Sequence, residues 1–232
     1  MFTVKDFQVE LQNPEEVKQF VKKHGQMAAV CYNTNPKYAE RVGEHCLESG
    51  HLSGSRHLFA WFTLRNIPRS SVDQLVRHYT GFVPQVQSLR YCTKDGKVSL
   101  YAAPEIIGDI YLENEIREAE KAAQKSYDYL QANLLDAGYT REQANEMART
   151  VLPIGIATEC NIAVNMECLI HLANLRLCTR AERPIREIVK AMVVQVAEVE
   201  PRYRPFLVPQ CKKLGYCPEG DTNCKRNIAN YK

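Results

Sequence analysis

Both alternating faces are apolar in the stretch His57-Leu58-Phe59-Ala60-Trp61-Phe62-Thr63-Leu64. The even-numbered residues form one apolar face, and Phe59 and Trp61 keep the other face apolar as well. Such a strand is typical of the centre of a sheet, where neighbouring layers cover both sides. The stretch therefore predicts a central, buried strand, and the rest of the fold is expected to assemble around it.

The segments before this strand carry alternating strand and helix signals. Phe2 to Leu11 alternates like a strand, with an interruption near Asp6. Asn13-Pro14-Glu15-Glu16 predicts a helix start, with an asparagine cap, a proline in the first turn and acids at the positive helix end. Gly25 is predicted to end this helix, and a second helix is expected from Pro36 to Ser49.

The segment after the strand carries groups that suit an anion. Ser70 is predicted to cap a helix that ends in Arg77-His78, and Ser88-Leu89-Arg90-Tyr91 follows after a short turn. Arginine binds phosphate as a planar fork, serine and backbone N–H groups can complete a cradle, and histidine can contact a ring or a second anion. The pattern indicates a phosphate site; the alternative is a solvated helix end with ordinary surface arginines.

The second half of the chain is expected to be mainly helical. Tyr91 to Tyr101 is predicted to be a hairpin turning at Lys94-Asp95-Gly96. A long amphipathic helix is predicted from Glu113 to Ala137. The later helices are expected after a capping box at Thr140–Gln143, through the apolar stretch Cys160–Leu177, and after Pro184. The pattern predicts an α+β fold with a central mixed or antiparallel sheet, flanking helices and a long helical C-terminal half.

Length and composition agree with this fold class. The 232 residues suit a single domain spanning 1–232, with a cysteine-rich tail at about 208–232. A net charge of +3 is too small to indicate nucleic acid, so no nucleic-acid partner is expected. No apolar run approaches a membrane span, and the first residues have no signal-peptide pattern. We therefore expect a cytoplasmic protein without a membrane partner.

Three separated blocks, taken in order, resemble the flavin-dependent thymidylate synthases. Ser49-Gly50-His51-Leu52-Ser53 is similar to the Gly-His-x-Ser/Thr segment of that family. Arg77-His78 with Ser88-Leu89-Arg90 is similar to its Arg-His-Arg and Ser-x-Arg pair. Asn165 to Arg186 is similar to its Asn-Ala-Arg, Leu-Arg and Ala-Gln-x-x-Ile-Arg pattern. The resemblance extends from about Ala28 to about Cys224 and implies a flavin-dependent thymidylate synthase-like fold.

The resemblance implies an enzyme that uses FAD, with NADPH and methylenetetrahydrofolate as co-substrates, on a pyrimidine nucleotide. It also implies a homotetramer with its sites between subunits. Arg176 would be the catalytic residue, because it would polarise the pyrimidine ring. Nucleotide binding would involve Gln74, Arg77, Gln87, Ser88, Arg90 and Arg176. FAD binding would involve His51, Ser53, His78, Tyr79, Asn165, His171 and Arg180.

Plainer roles stay open for several of these residues. His51 could end a helix, His171 could be a core imidazole, and Asn165 could hydrogen-bond between helices. Arg176 and Arg180 could form surface salt bridges. These alternatives need no ligand.

The sequence departs from the family pattern where charge matters most. Tyr79 stands where the family has a second arginine, and the gap to Ser88 is one residue longer. Glu167 replaces an arginine that touches FAD, Glu182 replaces a glutamine, and Glu159 lies near a position that usually holds a cation. An uncompensated carboxylate facing a phosphate would weaken binding, so we expect either compensating cations or an altered ligand.

The resemblance therefore supports three functions. The first is methylation of dUMP at C5. The second is a diverged paralogue that modifies another pyrimidine nucleotide, such as UMP or dCMP, or forms a hydroxymethyl product. The third is a non-catalytic nucleotide-binding protein that has lost its flavin.

The cysteine-rich tail raises a separate expectation. Some members of the family carry a similar tail together with a cysteine matching Cys178. Four thiolates could hold a structural zinc ion, and the spacing of the three tail cysteines is looser than in a paired Cys-x-x-Cys site. The predicted ligands are Cys178, Cys211, Cys217 and Cys224. The alternative is a set of reduced thiols on a surface tail.

Overall fold

The structure is a computed structural model that describes residues 1–94 and 96–224. Four strands and nine α-helices lie in these ranges, and the strands form an antiparallel sheet. The α+β prediction, with its flanking helices and helical C-terminal half, is confirmed. Asp95, at the tip of the predicted hairpin, and residues 225–232 of the predicted tail lie outside the described residues.

The sheet contains β1 (Gln8–Leu11), β2 (Phe59–Pro68), β3 (Phe82–Val86) and β4 (Ala157–Asn165) in the order β1-β2-β4-β3. The predicted central strand is therefore an inner strand of the sheet. Its Ala60, Phe62 and Leu64 are buried, but Trp61 on the other face is 52% exposed. Burial on both faces was therefore wrong, because an antiparallel sheet can leave one face open.

The N-terminal segment departs from the predicted strand at the expected interruption. Val4–Asp6 form a 3₁₀ turn with a capping box between Thr3 and Asp6, and only Gln8–Leu11 forms strand β1. The short polar side chains satisfy backbone groups locally, so the ladder begins after the turn. The observed strand is thus less than half as long as the predicted one.

Gly25 does not end the first predicted helix. The chain forms α1 (Pro14–Val17) and then α2 (Phe20–Tyr32), which runs through Gly25 and ends at Asn33 in the left-handed conformation (φ 48°). A Cβ at Gly25 would lie 1.7 Å from Ala39 O of α3 (Ala39–Glu48). The glycine is therefore required for close helix packing.

Two further predictions around the anion motif need correction. Helix α4 (Arg69–Leu75) begins before Ser70 and ends before Arg77. At its start, the backbone N–H groups of Arg69 and Ser70 donate to Ile156 O and Ile154 O. Backbone acceptors thus replace the predicted serine cap. Among the described residues of 91–101, Leu100 and Tyr101 make isolated bridges and the others lie in turns, a bend or irregular backbone, so the predicted hairpin is absent there.

The helical half contains α5 (Ile110–Asp136), α6 (Arg141–Ala148), α7 (Met166–Arg176), α8 (Arg183–Val199) and α9 (Gln210–Leu214). The capping box of α6 and the proline at the start of α8 are confirmed. The single helix over Cys160–Leu177 was wrong, since this run contains the end of β4 and then α7. A continuous apolar run is compatible with a buried strand or a buried helix, so periodicity could not separate them.

The chain divides into two compact units. One comprises 1–8, 64–74 and 85–160, and Tyr127 and Ala144 are fully buried in it. The other comprises 9–63, 75–84 and the described residues from 161 onward, with a core that includes Ile188 and Met192 of α8. The single domain over 1–232 stays a prediction. Within the described ranges, no helix combines the length and apolarity required to span a lipid bilayer.

Candidate functional site

An open cavity of about 470 Å³ lies between the segment after α4 and the first turns of α7. It belongs to the unit that contains residues 75–84 and 161 onward. Its lining residues are Arg77, His78, Tyr79, Thr80, Glu167, Cys168 and His171. Two segments that are distant in sequence, 77–80 and the start of α7, thus bring cationic and aromatic groups to one opening.

Gly81 and Asn165 connect these two segments. Gly81 has a φ of 79°, and a Cβ there would lie 2.2 Å from the Asn165 side chain. The Asn165 N–H donates to Gly81 O at 2.8 Å, and its side-chain oxygen accepts from Cys168 N at 2.9 Å to cap α7. The asparagine side chain therefore caps its own helix, and its predicted FAD contact stays a prediction.

Arg176 and His78 form the centre of the cluster. Arg176 Nε and Nη2 lie 3.1 Å and 3.0 Å from His78 Nε2. Because guanidinium nitrogens only donate, His78 Nε2 must accept, and the imidazole is neutral. Burial, then Arg176, then His171 lower the pKa of His78 from 6.5 to about 4. The site therefore keeps a neutral histidine that orients a charged arginine.

The surroundings of Arg176 leave its charge available. Burial, followed by the nearby Arg77, lowers the pKa of Arg176, and Glu182 acts in the opposite direction. The rings of His78 and His171 meet edge to face at 5.7 Å. Neighbouring cations repel one another unless an anion joins them, so this arrangement favours a negatively charged ligand.

Glu167 is the acidic group on the cavity wall, and Arg56 neutralises it. Arg56 Nε and Nη2 donate to Glu167 Oε2 and Oε1 at 2.7 Å and 3.0 Å, which is a two-point fork. Asn165 also donates to Arg56 O at 3.2 Å, so the arginine backbone is fastened to the start of α7. The sequence left two outcomes open, compensating cations or an altered ligand, and at Glu167 the structure contains a compensating cation.

The predicted nucleotide-binding residues divide between the two units. Arg77 and Arg176 lie in the unit with the cavity, whereas Gln74, Gln87, Ser88 and Arg90 lie in the other. Arg90 Nη2 donates to Glu142 Oε1 at 2.5 Å, and its Nε lies 2.9 Å from Glu146 Oε2 without hydrogen-bond geometry. A shared role of the six residues in nucleotide binding stays a prediction.

Several predicted FAD-binding residues lie away from the lining of this cavity. His51 instead lines an open cavity of about 870 Å³ with Tyr32, Tyr38 and Arg41. Its backbone N–H donates to Cys46 O at 2.8 Å, as expected for a residue that ends a helix. Ser53 begins a 3₁₀ turn, and Arg180 is 3.5 Å from Glu219. Their FAD contacts stay predictions.

Sequence reasoning missed Arg56. It follows a short polar stretch and belongs to no spacing pattern. The available signal was indirect: a glutamate predicted to face a cofactor phosphate needs a cationic partner, and 111 residues separate Arg56 from Glu167. Only the folded chain identifies which arginine supplies that charge.

The four cysteines of the predicted zinc site line one small cavity of about 50 Å³. Burial raises the pKa of the Cys211 thiol, and Cys178, Cys217 and Cys224 add to that effect. In the portion of the chain covered by the structure, however, no three His, Cys, Asp or Glu side chains are arranged to hold a metal ion. The thiols are gathered but do not form a ligand set, and zinc stays a prediction.

Comparison with known proteins places these features in a family. The family described as Thymidylate synthase complementing protein matches residues 16–202. The flavin-dependent thymidylate synthase of Nitratidesulfovibrio vulgaris is 34% identical over 176 residues, which cover 75% of this chain and 71% of the relative. That of Clostridium tetani is 32% identical over 183 residues, covering 75% and 72%.

A solved structure shares the fold. The UMP/dUMP methylase PolB from Streptomyces cacaoi, bound with 5-Br UMP, superposes with a TM-score of 0.60 at 20% identity, covering 87% of this chain and 95% of that one. The chain thus belongs to the Thymidylate synthase complementing protein family, together with the flavin-dependent thymidylate synthases, and it is a methyltransferase-like enzyme.

Proposed function

We propose that the protein transfers a one-carbon unit from methylenetetrahydrofolate to C5 of dUMP and forms dTMP, with FAD as cofactor and NADPH as reductant. The observation that carries this proposal is Arg176, held by the neutral imidazole of His78 beside Arg77. A charged fork with a fixed orientation can donate to a pyrimidine carbonyl. Membership in the family supplies the reaction class.

The residues of the cavity suit an anionic cofactor with a planar ring. The wall combines Arg77 with His78, His171 and the 83% exposed ring of Tyr79. Phosphates pair with guanidinium groups, and a planar heterocycle can stack on a phenol or an imidazole. We place FAD against these groups, where the cofactor would supply the redox chemistry and the protein would supply orientation and charge.

Arg176 would activate the nucleotide without attacking it. Hydrogen bonds from the guanidinium to the ring carbonyl would stabilise the negative charge that develops when C5 acts as a nucleophile. His78 would hold the guanidinium in that orientation, because both donated bonds converge on its Nε2. Arg77 would contribute to holding the phosphate. This mechanism requires no nucleophilic side chain.

A second substrate is favoured by a specific feature. Tyr79 stands at the cavity with a largely exposed ring, where the sequence pattern of the family has a guanidinium. A phenol can stack on a base or bond a hydroxyl, so UMP is the second candidate. The PolB structures were obtained with 5-Br UMP and 5-Br dUMP, and they share the fold of this chain.

We also propose the homotetramer and the cytoplasmic location that the resemblance implies. The tetramer is tested by light scattering of the purified protein, where a mass near that of one 26.5 kDa chain would contradict it. Localisation is tested by fractionation of the source cells. A non-catalytic nucleotide-binding protein remains the outcome to be excluded.

The decisive experiment measures flavin and methyl transfer together. Purified protein, supplied with FAD where necessary, is expected to show flavin absorbance. It should form dTMP from dUMP when NADPH and methylenetetrahydrofolate are present. Parallel reactions with UMP and dCMP identify the preferred base and sugar. Colourless protein that cannot be reconstituted with FAD would contradict the proposal and favour the non-catalytic alternative.

A further inference from the structure

We propose that Arg56 is a phosphate-binding residue of this site, and that Glu167 holds its guanidinium in place. The inference rests on the proposed function, because it assigns a further contact for a phosphorylated ligand of the same cavity. The sequence motifs point to arginines after α4 and at the end of α7. The structure adds one from the 3₁₀ turn Ser53–His57.

The first observation is the geometry of the fork. Arg56 uses Nε and Nη2 for the carboxylate of Glu167, and within residues 1–94 and 96–224 its Nη1 makes no hydrogen bond. The Arg56 side chain is 63% exposed, whereas that of Glu167 is 34% exposed. One edge of the guanidinium is thus fixed, and the other edge still carries donors.

The second observation is the charge of the wall. Glu167 lines the cavity with Arg77, His78 and His171. Alone, its carboxylate would repel a phosphate, but the fork with Arg56 neutralises it and raises the pKa of Arg56. The pair therefore adds a cation beside the carboxylate of the cavity wall without leaving a net negative charge.

The third observation is that hydrogen bonds connect both partners to the start of α7. Asn165 caps α7 through Cys168 N and donates to Arg56 O, so one side chain connects the helix start to the arginine backbone. Glu167 lies in the first turn of α7, where the helix dipole stabilises a carboxylate. An arginine held in this way loses little side-chain entropy when it binds an anion.

The ligand chemistry is a phosphate ester or anhydride. Two sources carry it in the proposed reaction, the pyrophosphate of FAD and the monophosphate of the nucleotide. Affinities for FAD and for dUMP distinguish them, with riboflavin and deoxyuridine as matched ligands that lack phosphate. Inorganic pyrophosphate serves as a third probe, and it tests Arg56 even if neither FAD nor dUMP binds.

The test compares Arg56→Gln with Glu167→Gln by calorimetric titration. Arg56→Gln removes the cation and exposes the carboxylate, so affinity for one phosphorylated ligand should fall about ten- to a hundredfold. Glu167→Gln removes the anion but leaves an amide oxygen that can still accept from the guanidinium, so the same affinity should stay equal or rise by up to about threefold. Affinities for riboflavin and deoxyuridine should not change in either variant.

Arg117→Gln is the matched control. It breaks another exposed arginine–glutamate pair, with Glu113 at 3.2 Å on α5, and lowers the net charge by the same amount. Arg56→Lys keeps the charge without the fork, and thermal unfolding shows whether each variant folds. Parallel losses of phosphate affinity in Arg56→Gln and Glu167→Gln, or no loss for any of the three phosphate probes in Arg56→Gln, would overturn the proposal. If wild-type protein binds neither FAD nor dUMP, the proposed function fails separately.

Discussion

Arg176 and Arg90 were both predicted to hold the nucleotide, but the fold gives them opposite surroundings. Arg176 is bound by a neutral imidazole and lies near another cation, Arg77. Arg90 is paired with two carboxylates, Glu142 and Glu146. The positive charge of Arg176 is therefore available to an anion, whereas two carboxylates largely neutralise the charge of Arg90.

The difference shows that an arginine in a motif predicts a donor but not its availability. Formation of a ligand contact by Arg90 would compete with two existing ion pairs. A contact by Arg176 would instead relieve the repulsion between neighbouring cations. Mutations that remove one arginine or one of its partners at a time can therefore show which region contributes more to nucleotide binding.

Arg176→Ala should have the largest effect. Removing the charged fork would take away hydrogen bonds that strengthen as charge develops on the ring, so turnover with dUMP should fall by about a hundred- to a thousandfold. Steady-state kinetics, together with flavin oxidation in single-turnover reactions, measures this loss. Arg176→Lys keeps the charge without the planar fork, and wild-type turnover in Arg176→Ala would remove the residue from the mechanism.

His78→Gln should flatten the pH dependence of stability between about pH 6.5 and pH 4. The folded pKa of His78, about 4, lies below its ordinary value of 6.5. The unfolded chain therefore binds more protons between these values, and stability is full above about pH 6.5 and falls towards pH 4. Chemical unfolding of wild-type protein across this range should show a steeper loss than unfolding of the variant, whose amide does not titrate.

The comparison isolates His78 because the other titrating groups are common to both proteins. His24, whose pKa is lowered mainly by burial, contributes equally to each. The groups near His78 are Arg77, Arg176, His171 and Glu167. Equal slopes for wild type and variant would mean that the fold does not lower the pKa of His78.

Arg90→Gln should weaken nucleotide binding less than Arg176→Gln does. Its removal leaves Glu142 and Glu146 facing each other on one side of α6, which should lower the free energy of unfolding by up to about 1 kcal/mol. Nucleotide titration and urea unfolding of both variants measure the two effects. Equal losses of affinity would show that Arg90 breaks its ion pairs and contacts the ligand.

The zinc prediction concerns a smaller effect. If Cys178, Cys211, Cys217 and Cys224 bind zinc, protein prepared without chelator should contain about one ion per chain. Metal analysis by plasma mass spectrometry measures this content, with Cys211→Ser as the variant that should lower it. Only trace zinc in the wild-type protein would leave these residues as reduced thiols.

Much of the architecture could be predicted from local signals. The inner strand, the capping box of α6 and the proline at the start of α8 follow from residue spacing and from capping chemistry. The errors occurred where distant groups override these signals. Gly25 packs against α3 instead of ending α2, and backbone acceptors replace the predicted cap at Ser70.

The site was predicted only in part. Arg77, His78 and His171 do line one cavity, and Arg176 bonds to His78, but the roles assigned to them await measurement. Arg56 could not be found, because no periodicity connects residues that are 111 positions apart. The same holds for the carboxylates that surround Arg90.

The sequence by itself determined the fold class and the chemical types available to the site, because strand alternation, helix capping and arginine-rich motifs are local properties. The tertiary structure decided which charges meet. It joined Arg176 to a neutral histidine, closed Arg56 on Glu167 and placed Arg90 between two acids. The physical reason is that electrostatic interactions depend on distances through space, which spacing along the chain does not specify.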